Sequence, residues 1–339
     1  MIEIDGSFGE GGGQILRTAL ALSAVTKKPC HIFNIRRNRP KPGLKYQHLL
    51  GLKALVNLCN SRVDGDFLNS REVKFWPDNI YRDRVSVNIP TAGSITLVLQ
   101  TLVLPSLFAD SPVKIYFEGG ATDTFFSPTI DHFYYVFLEI AKKLGANIKL
   151  NIRKRGYYPE GGAEVEAEIF PSKLKSIALL DKGKLQKILI FSGASELLKE
   201  KKVAERQLFG VREILGKLNL PAEEKIDYYD TDCPGSNICL IAQFENTVIG
   251  VDNLGKLGKR AEDVGKEAAL NLLKEEKSQA CLDKYSTDQI LPYLALAKGD
   301  SEISVSEITN HCKTNIWAIK KFVKGNFEVK ENIRTWKPT

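Results

Sequence analysis

A glycine-rich run carrying one acid and one base lies near the amino terminus and reads GEGGGQILR over residues 9–17. Glycines allow several backbone N–H groups to converge on an anion, so the run predicts a phosphate-binding turn in front of a helix. The Lys-Ser/Thr pair of a Walker A loop is missing, and Arg17 stands one helical turn inside instead. Glu10 could bind a cation that neutralises phosphates. Taken alone, the run is more typical of a ligand-free strand-to-helix turn.

His311 lies in the segment NHCKTNI, residues 310–316, where the pattern predicts the start of a helix. Thr314 and Asn315 are available as capping residues. The positive end of a helix disfavours an imidazolium ion, so His311 is predicted to be neutral and nucleophilic near pH 7. A capping or surface role is the alternative that this segment alone favours.

The other three histidines have less distinctive surroundings. His31 begins an apolar strand, which predicts a packing role, and His132 is predicted to be structural at a helix start. His48 follows the loop RRNRPKPG, residues 36–43, in which four cations fall within six residues. A stiff and densely basic loop is suited to phosphate or RNA, although it could also serve only solubility.

The elements that must position these residues form a repeat in the apolar spacing. An apolar helix, a β-rich run, a second amphipathic helix and another strand recur three times. The first helices begin near Ile15, Ile95 and Ile290, the strands that follow begin at Cys30, Val113 and Ser301, and the second helices cover residues 49–59, 133–144 and 316–323. This repeat predicts a mixed α/β (α+β) body of three βαβα-type units in a pseudo-threefold arrangement.

The unequal spacing of the three units predicts an inserted domain. The first two helix starts lie 80 residues apart, whereas the second and third lie 195 residues apart. The extra length predicts a small α+β domain over residues 183–277, inserted into a body formed by residues 1–182 and 278–339. A basic helix of this domain either follows a phosphate backbone or forms a solvated face. Its cations are Lys199, Lys201, Lys202, Arg206 and Arg212.

Composition describes an ordinary globular chain of 339 residues with 43% hydrophobic and 26% charged residues. The net charge of +7 permits nucleic-acid binding without requiring it. The six cysteines form no C-x-x-C pair, so neither a zinc knuckle nor a redox dithiol is predicted. No signal peptide or apolar membrane-spanning run is evident, so we expect a cytoplasmic protein without a membrane partner. The sequence predicts no oligomeric state.

Widely separated motifs, taken together, resemble the RNA 3′-terminal phosphate cyclase family along nearly the whole chain. The motifs are DG at 5–6 with GEGGGQILR at 9–17, KPGL at 41–44 with QH at 47–48, AGS at 92–94 with TLVLQ at 96–100, GGATD at 119–123, YYPEGG at 157–162, and His311 with TNI at 314–316. Their order and spacing make the resemblance specific.

The resemblance implies a ligase-class enzyme that uses ATP and Mg²⁺ or Mn²⁺ to convert the 3′-phosphate end of an RNA into a 2′,3′-cyclic phosphate. The implied route passes through a covalent histidyl-AMP and an RNA-(3′)pp(5′)A end, from which the 2′-hydroxyl displaces AMP. The implied body is related to enolpyruvyl transferases, and the implied insert resembles the carboxyl-terminal domain of translation initiation factor 3.

The resemblance also implies a role for each motif residue. His311 corresponds to the nucleophile, and Glu10 corresponds to the ligand of the divalent metal. The implied phosphate contacts are Arg17, Arg36 and Arg39, and the implied adenosine pocket consists of Gln100, Pro128, Tyr285, Asp288 and Gln289. A Tyr285 ring facing Pro128 would stack on the adenine.

This chain departs from the family pattern at two turns, and a second class of function stays open. Thr129 follows Pro128 where many members have a second proline, and Ala163 replaces a third glycine. Neither change removes a reactive group. The alternative function is a catalytically silent scaffold that binds RNA or assists ribosome assembly on the same fold. Members of that class lack the catalytic histidine, so His311 favours the enzyme, and an enolpyruvyl transferase is a distant third hypothesis.

Overall fold

Strands of the computed structural model, which describes residues 1–218, 220–330 and 333–337, form four four-stranded sheets in those ranges. Three of the sheets have the same strand order and belong to the three repeated units. The fourth has a different order. This arrangement confirms the predicted mixed α/β class.

The first unit begins the chain and carries the glycine turn. Its elements are β1 (Ile2–Asp5), α1 (Gly13–Thr26), β2 (Cys30–Phe33), α2 (Tyr46–Cys59), β3 (Arg62–Asp64) and β4 (Val73–Trp76). Strands β1 and β2 are parallel, as expected for strands joined through a helix, and β4 is antiparallel to both β2 and β3. The sheet order is therefore β1-β2-β4-β3.

The second unit repeats this topology. Its elements are β5 (Arg84–Ser94), α3 (Ile95–Ser106), β6 (Val113–Ala121), α4 (Ile130–His132), a π-helical segment (Phe133–Phe137), α5 (Leu138–Lys143), β7 (Asn147–Lys154) and β8 (Glu164–Phe170). The sheet order is β5-β6-β8-β7, with β5 and β6 parallel and the remaining pairs antiparallel.

A short strand, β9 (Ala178–Leu179), precedes the fourth sheet in the chain. The elements that follow are β10 (Leu185–Ser195), α6 (Val203–Leu215), β11 (Ala222–Tyr229), β12 (Ser236–Phe244), β13 (Val248–Leu254) and α7 (Ala261–Lys277). The sheet order is β11-β10-β12-β13. Helices α6 and α7 pack with this sheet around an apolar cluster of their own, which includes Leu208, Leu240 and Val264. The separate cluster supports an inserted domain, and its boundaries at 183 and 277 stay a prediction.

The third unit resumes after α7. Its elements are β9, α8 (Lys284–Leu296), β14 (Ser301–Ser304), α9 (Asn310–Phe322), β15 (Asn326–Lys330) and β16 (Ile333–Lys337). The order β9-β14-β16-β15 matches the other two units. Helix α8 begins at Lys284 rather than near Ile290, because the Asp283 carboxylate accepts the backbone N–H groups of Tyr285 and Ser286 and caps the helix there.

The central helices of the three units pack against one another. Every residue of α3 except Gln100 is buried, and α1 packs on α2, α3 and α9. Polar groups on these helices therefore meet in an apolar surrounding. None of the helices in the described part of the chain is long and apolar enough to cross a membrane.

A buried polar network joins the second unit to the fourth sheet. Arg155 donates to Asp131 Oδ1 at 2.5 Å and to Asp123 Oδ2 at 3.3 Å. Asn237 of β12 donates to Asp131 Oδ2 at 2.9 Å and accepts from the Tyr157 hydroxyl at 2.7 Å. Burial raises the pKa of Asp123 to about 6, and Arg155 opposes that rise.

Candidate active site

The glycine turn has a backbone that only glycine adopts without strain at two positions. Gly9 and Gly11 have φ angles of +57° and +60°. Gly12 precedes the first turn of α1, which begins at Gly13. Gly13 lies so close to His48 that a Cβ there would stand 2.1 Å from Nε2 of the imidazole. The glycines thus allow a tight turn and a close approach to a buried ring.

Two parts of the protein enclose the turn. On one side the basic loop contacts it: the Asn38 side chain donates to the Ser7 carbonyl at 3.3 Å, and Arg39 Nη2 donates to Glu10 Oε1 at 3.0 Å. On the other side α9 packs on it, because a Cβ at Gly9 would lie 2.3 Å from Oγ1 of Thr314. The turn therefore links residues that lie about 300 positions apart in the chain.

His311 occupies the first turn of α9, as the sequence predicts, but the cap differs from the expected one. The Thr309 hydroxyl accepts the backbone N–H of Cys312 at 3.2 Å. The predicted capping residues Thr314 and Asn315 are instead buried within the helix. Their position inside α9 follows from the helix start at Asn310, one residue after the cap.

The His311 ring lies between Glu10 and Gln14. Nε2 of His311 is 2.9 Å from Glu10 Oε2, and Nδ1 is 2.7 Å from Gln14 Oε1. The Gln14 amide nitrogen donates in turn to Asp288 Oδ2, which leaves its oxygen to accept from Nδ1–H of His311. Both ring nitrogens thus face an acceptor oxygen, so a neutral ring donates its one proton either to Gln14 through Nδ1 or to Glu10 through Nε2. With 44% of its side chain exposed, His311 is accessible to a nucleotide.

The charges around His311 favour a neutral ring. Burial lowers the pKa of His311, and Arg17 and Arg39 lower it further, whereas Glu10 opposes them. A neutral imidazole near pH 7 is the form that attacks an electrophile. The direction of this pKa shift agrees with the predicted neutral ring, and its first cause is burial.

A second chain of hydrogen bonds leads from α1 to α8. Arg17 Nε donates to Gln100 Oε1 at 3.1 Å, Gln100 Nε2 donates to Gln289 Oε1 at 2.9 Å, and Gln289 donates to the Tyr285 carbonyl at 2.9 Å. Burial lowers the pKa of Arg17 to about 10 and raises that of Asp288 to about 7, and the two groups partly offset each other. The structure thus brings Arg17, Gln100, Asp288 and Gln289 together.

These side chains line one cleft between α1, α3, α8 and α9. Its polar wall is formed by Gln14, Arg17, Thr18, Gln100, Asp288, Gln289 and Asn315, and its apolar wall by Ala21, Leu104, Phe137, Pro292 and Tyr293. Apolar side chains and a few convergent polar groups of this kind line small-molecule sites, but the open volume of this cleft is only about 40 Å³. Four of the five residues predicted for adenosine lie on α3 or α8, and three of those line this cleft.

Pro128 and Tyr285 lie at the margins of this arrangement. The Pro128 carbonyl accepts the Thr96 hydroxyl at 2.9 Å, which fixes the proline at the start of α3. Half of Tyr285 is exposed, and Lys284 Nζ lies 4.9 Å from its ring centroid. Stacking of adenine between these two residues stays a prediction.

The basic loop uses part of its charge internally. Arg36 donates through Nη1 to the carbonyls of Lys41 and Gly43, at 2.9 and 3.1 Å, and burial lowers its pKa. His48 accepts the backbone N–H of Lys45 at 3.1 Å through Nδ1. Burial lowers the pKa of His48 to about 3, with Arg17 and Arg36 acting in the same direction. His48 is therefore a neutral ring beside the glycine turn.

His31 differs from its prediction. The ring does not pack in the core but lies between two carboxylates on the surface of the first sheet, 2.9 Å from Glu3 and 3.2 Å from Glu72. Alternation along β2 explains this, because Cys30 and Ile32 take the buried face. His132 is the last residue of α4 and is fully buried, and its structural role stays a prediction.

Sequence reasoning missed three polar residues that hold the site together. Gln14 orients His311, and Thr18 donates to Asn315 Oδ1 at 2.5 Å. Asn315 donates in turn to the Asp288 carbonyl at 2.6 Å. All three are buried. A polar residue inside an apolar helix pattern was the available signal, because such a residue requires a partner.

Replacement of Gln14 by methionine tests the orienting role. Methionine keeps the length of the side chain but accepts no bond from Nδ1–H, so the His311 ring loses its fixed orientation. We expect protein labelling by ATP to slow about 10- to 100-fold, the effect of misplacing a reacting atom by about 1 Å. Single-turnover labelling checks this. An unchanged rate, with retained thermal stability, would show that Gln14 does not position the ring.

Comparison with known proteins identifies the family of this chain. The family model for RNA 3′-terminal phosphate cyclase matches residues 8–329. A relative of that name from Pyrococcus abyssi (strain GE5 / Orsay) is 46% identical over 330 residues, which cover 97% of this chain and 95% of the relative. Similar proteins of the same name come from Saccharolobus islandicus (strain L.S.2.15 / Lassen #1), 45% identical over 97% of this chain and 96% of the relative, and from Pyrococcus furiosus, 43% identical over 98% and 96%. These matches confirm the predicted resemblance and the assignment to an enzyme family. The chain belongs to the RNA 3′-terminal phosphate cyclase family.

Proposed function

We propose that this protein uses ATP to convert the 3′-phosphate end of an RNA into a 2′,3′-cyclic phosphate. The name shared by the relatives supports the overall reaction. The observation that carries the proposed route is the His311 ring, which is accessible, contacts Gln14 through Nδ1 and directs Nε2 to Glu10, so that Nε2 becomes the nucleophile when Glu10 binds the phosphate-borne cation instead. Arg17 and Arg39 supply positive charge beside it.

In the first step, Nε2 of His311 attacks the α-phosphorus of ATP. The N–P bond forms as the bond from the α-phosphorus to pyrophosphate breaks, and the product is a histidyl-AMP. Gln14 holds the ring and accepts from Nδ1–H, so the positive charge that develops on the imidazole is shared with Asp288 through the Gln14 amide. Arg17 and Arg39 stabilise the charge on the phosphates.

In the later steps, an oxygen of the RNA 3′-phosphate attacks the adenylate and releases His311. The 2′-hydroxyl then attacks the activated RNA phosphorus, loses its proton and displaces AMP. Adenylation converts a poor electrophile into one with a good leaving group, and the final attack is intramolecular. Holding the vicinal hydroxyl in place contributes on the order of 7 kcal/mol in favourable cases.

Adenosine is proposed to occupy the cleft between α3 and α8. Gln100, Asp288 and Gln289 offer amide and carboxyl groups that can bind ribose or base, and Pro128 and Tyr285 offer flat surfaces for the adenine. Arg36 is the first residue of the basic loop, and we assign it to the triphosphate or to the RNA 3′-phosphate.

The residues fit a metal ion that is carried by the ATP phosphates. In the part of the chain that the structure describes, no three His, Cys, Asp or Glu side chains form a cluster that could hold a metal ion alone. Mg²⁺ bound to a nucleotide keeps several waters and takes only one or two protein carboxylates. Glu10, beside both His311 and Arg39, meets that requirement. When bound, the ion would neutralise charge on the pyrophosphate leaving group.

Incubation of the protein with ATP, Mg²⁺ or Mn²⁺ and a 3′-phosphorylated RNA tests the proposed function. We expect the RNA end to become resistant to phosphatase as the cyclic phosphate forms, with one AMP released for each end. An RNA with a 3′-hydroxyl serves as the matched control and should not react. RNA binding without any change of the end, in either metal, would favour the silent scaffold.

A further inference from the structure

An aromatic pair lies on the surface directly beside the glycine turn. The rings of Phe8 and Trp317 are stacked, with centroids 4.2 Å apart and planes inclined by 13°. Phe8 remains 41% exposed, and Lys321 Nζ lies 5.4 Å from the Trp317 ring centroid. An exposed flat ring with a cation beside it is a surface on which a nucleic-acid base can stack.

Two basic segments flank this pair. Residues 34–45 contain five cations and no acid, and residues 310–325 contain four lysines and no acid. Exposed side chains among them include Arg37, Lys313 and Lys321. Among the described residues, Lys313 and Lys321 lie within 4 Å of no carboxylate, and Arg37 acts on the Asp5 carboxylate only from a longer distance. This excess of positive charge suits a polyanion that crosses this face.

The aromatic pair is continuous with the proposed active site. Only Gly9 separates Phe8 from Glu10 in the chain, and Trp317 lies six residues after His311 on α9. The Asn38 side chain binds the Ser7 carbonyl and so joins the basic loop to the segment that carries Phe8. An RNA strand whose 3′-phosphate lies near His311 would therefore leave the active site across this face.

We propose that the surface formed by Phe8, Trp317, Arg37, Lys313 and Lys321 binds the single-stranded RNA segment that precedes the 3′-phosphate. A base stacks on the exposed side of the Phe8–Trp317 pair, and Arg37, Lys313 and Lys321 contact phosphates. This inference rests on the proposed function, because it takes the RNA end to lie at His311. An acidic protein segment would use the cations but would have no need of the stacked rings.

Direct binding measurements test the surface without requiring catalysis. The probe is a 5′-fluorescein-labelled, 3′-phosphorylated single-stranded RNA of about ten nucleotides, a length within the usual site size. We expect Trp317→Ala to raise Kd about 10-fold through the loss of stacking, and Trp317→Phe to restore most of the affinity. Phe209→Ala removes a phenylalanine on α6 that is 56% exposed, and it should leave Kd unchanged.

Charge variants provide a test that does not disturb packing. Arg37→Gln and Lys313→Gln alter exposed side chains, so both proteins should fold as the wild type does. Each should weaken RNA binding and reduce the slope of log Kd against log salt by about 1. Equal Kd values for these variants, Trp317→Ala and the wild type would overturn the proposal. So would stronger competition by polyglutamate than by unlabelled RNA.

The same proteins separate this inference from the proposed function. Label transfer from ATP, measured without RNA, reports the proposed chemistry alone. If cyclic ends form while the surface variants bind RNA normally, the surface assignment is wrong and the reaction stands. If the variants weaken RNA binding as expected while no protein labelling or cyclic end is found, the surface stands and the proposed reaction is wrong.

Discussion

Replacement of His311 by alanine abolishes both protein labelling by ATP and formation of the cyclic end. The imidazole lies beside Glu10, Arg17 and Arg39, where we propose that its Nε2 attacks phosphorus. Loss of a covalent nucleophile removes the intermediate altogether, so we expect a fall of about 10⁴-fold or more in the rate of cyclisation. Single-turnover assays with α-phosphate-labelled ATP and with 3′-phosphorylated RNA measure the two effects.

His31 supplies a matched control for this substitution. It also pairs with a glutamate through a ring nitrogen, at 2.9 Å from Glu3, but its two partners, Glu3 and Glu72, have no part in the proposed site. His31→Ala should therefore keep full labelling and full cyclisation. If the His311→Ala protein labelled as well as the wild type, another residue would be the nucleophile.

Replacement of Glu10 by alanine produces the second large loss. The carboxylate is the acid nearest to Nε2 of His311 and is partly exposed in the glycine turn. Its removal takes away the proposed protein ligand of the phosphate-borne metal and leaves Arg39 without its partner. We expect adenylation to slow about 100- to 1,000-fold, as when one electrostatic stabiliser is removed from a transition state. Raising the Mn²⁺ concentration should recover part of the rate.

Two controls distinguish this loss of adenylation from unfolding: the Tm of the variant and the matched substitution Glu3→Ala. Glu10 is not part of the buried core, so the Tm of Glu10→Ala should stay close to that of the wild type. Glu3→Ala removes one of the two glutamates that pair with His31 and should leave adenylation unchanged. Undiminished adenylation by Glu10→Ala would refute its metal role.

Much of the fold follows from local patterns in the sequence. Apolar spacing marks the helices at Ile15 and Ile95 and the strands at Cys30 and Val113, all of which the structure contains. The pattern also predicts one further strand after the second helix of each unit, whereas the structure has two antiparallel strands there; β3 and β15, the first of each pair in the outer units, are short and largely exposed and so carry little apolar pattern. The apolar pattern predicts the start of α8 near Ile290 rather than at Lys284, because the signal for the true start is a single capping carboxylate, Asp283.

In the candidate site, too, some residues could be predicted from the sequence and others could not. The glycine run and the His311 segment were visible because their residue types are unusual for a simple turn or helix. Their partner Gln14 was not, since a glutamine in an apolar helix has no chemistry of its own until Asp288 and His311 are known to lie on either side. Such contacts depend on packing between α1, α8 and α9, which no local pattern encodes.

The most direct test of the central claim is to find the residue that carries the adenylate. The protein is incubated with ATP labelled at the α-phosphate and, in parallel, at the γ-phosphate, digested under basic conditions, and the labelled peptide is identified by mass spectrometry. We predict acid-labile label from the α-phosphate only, located on His311, and its transfer to RNA when a 3′-phosphorylated strand is added. Label on another residue, label from the γ-phosphate, or an adduct that RNA does not discharge would contradict the account.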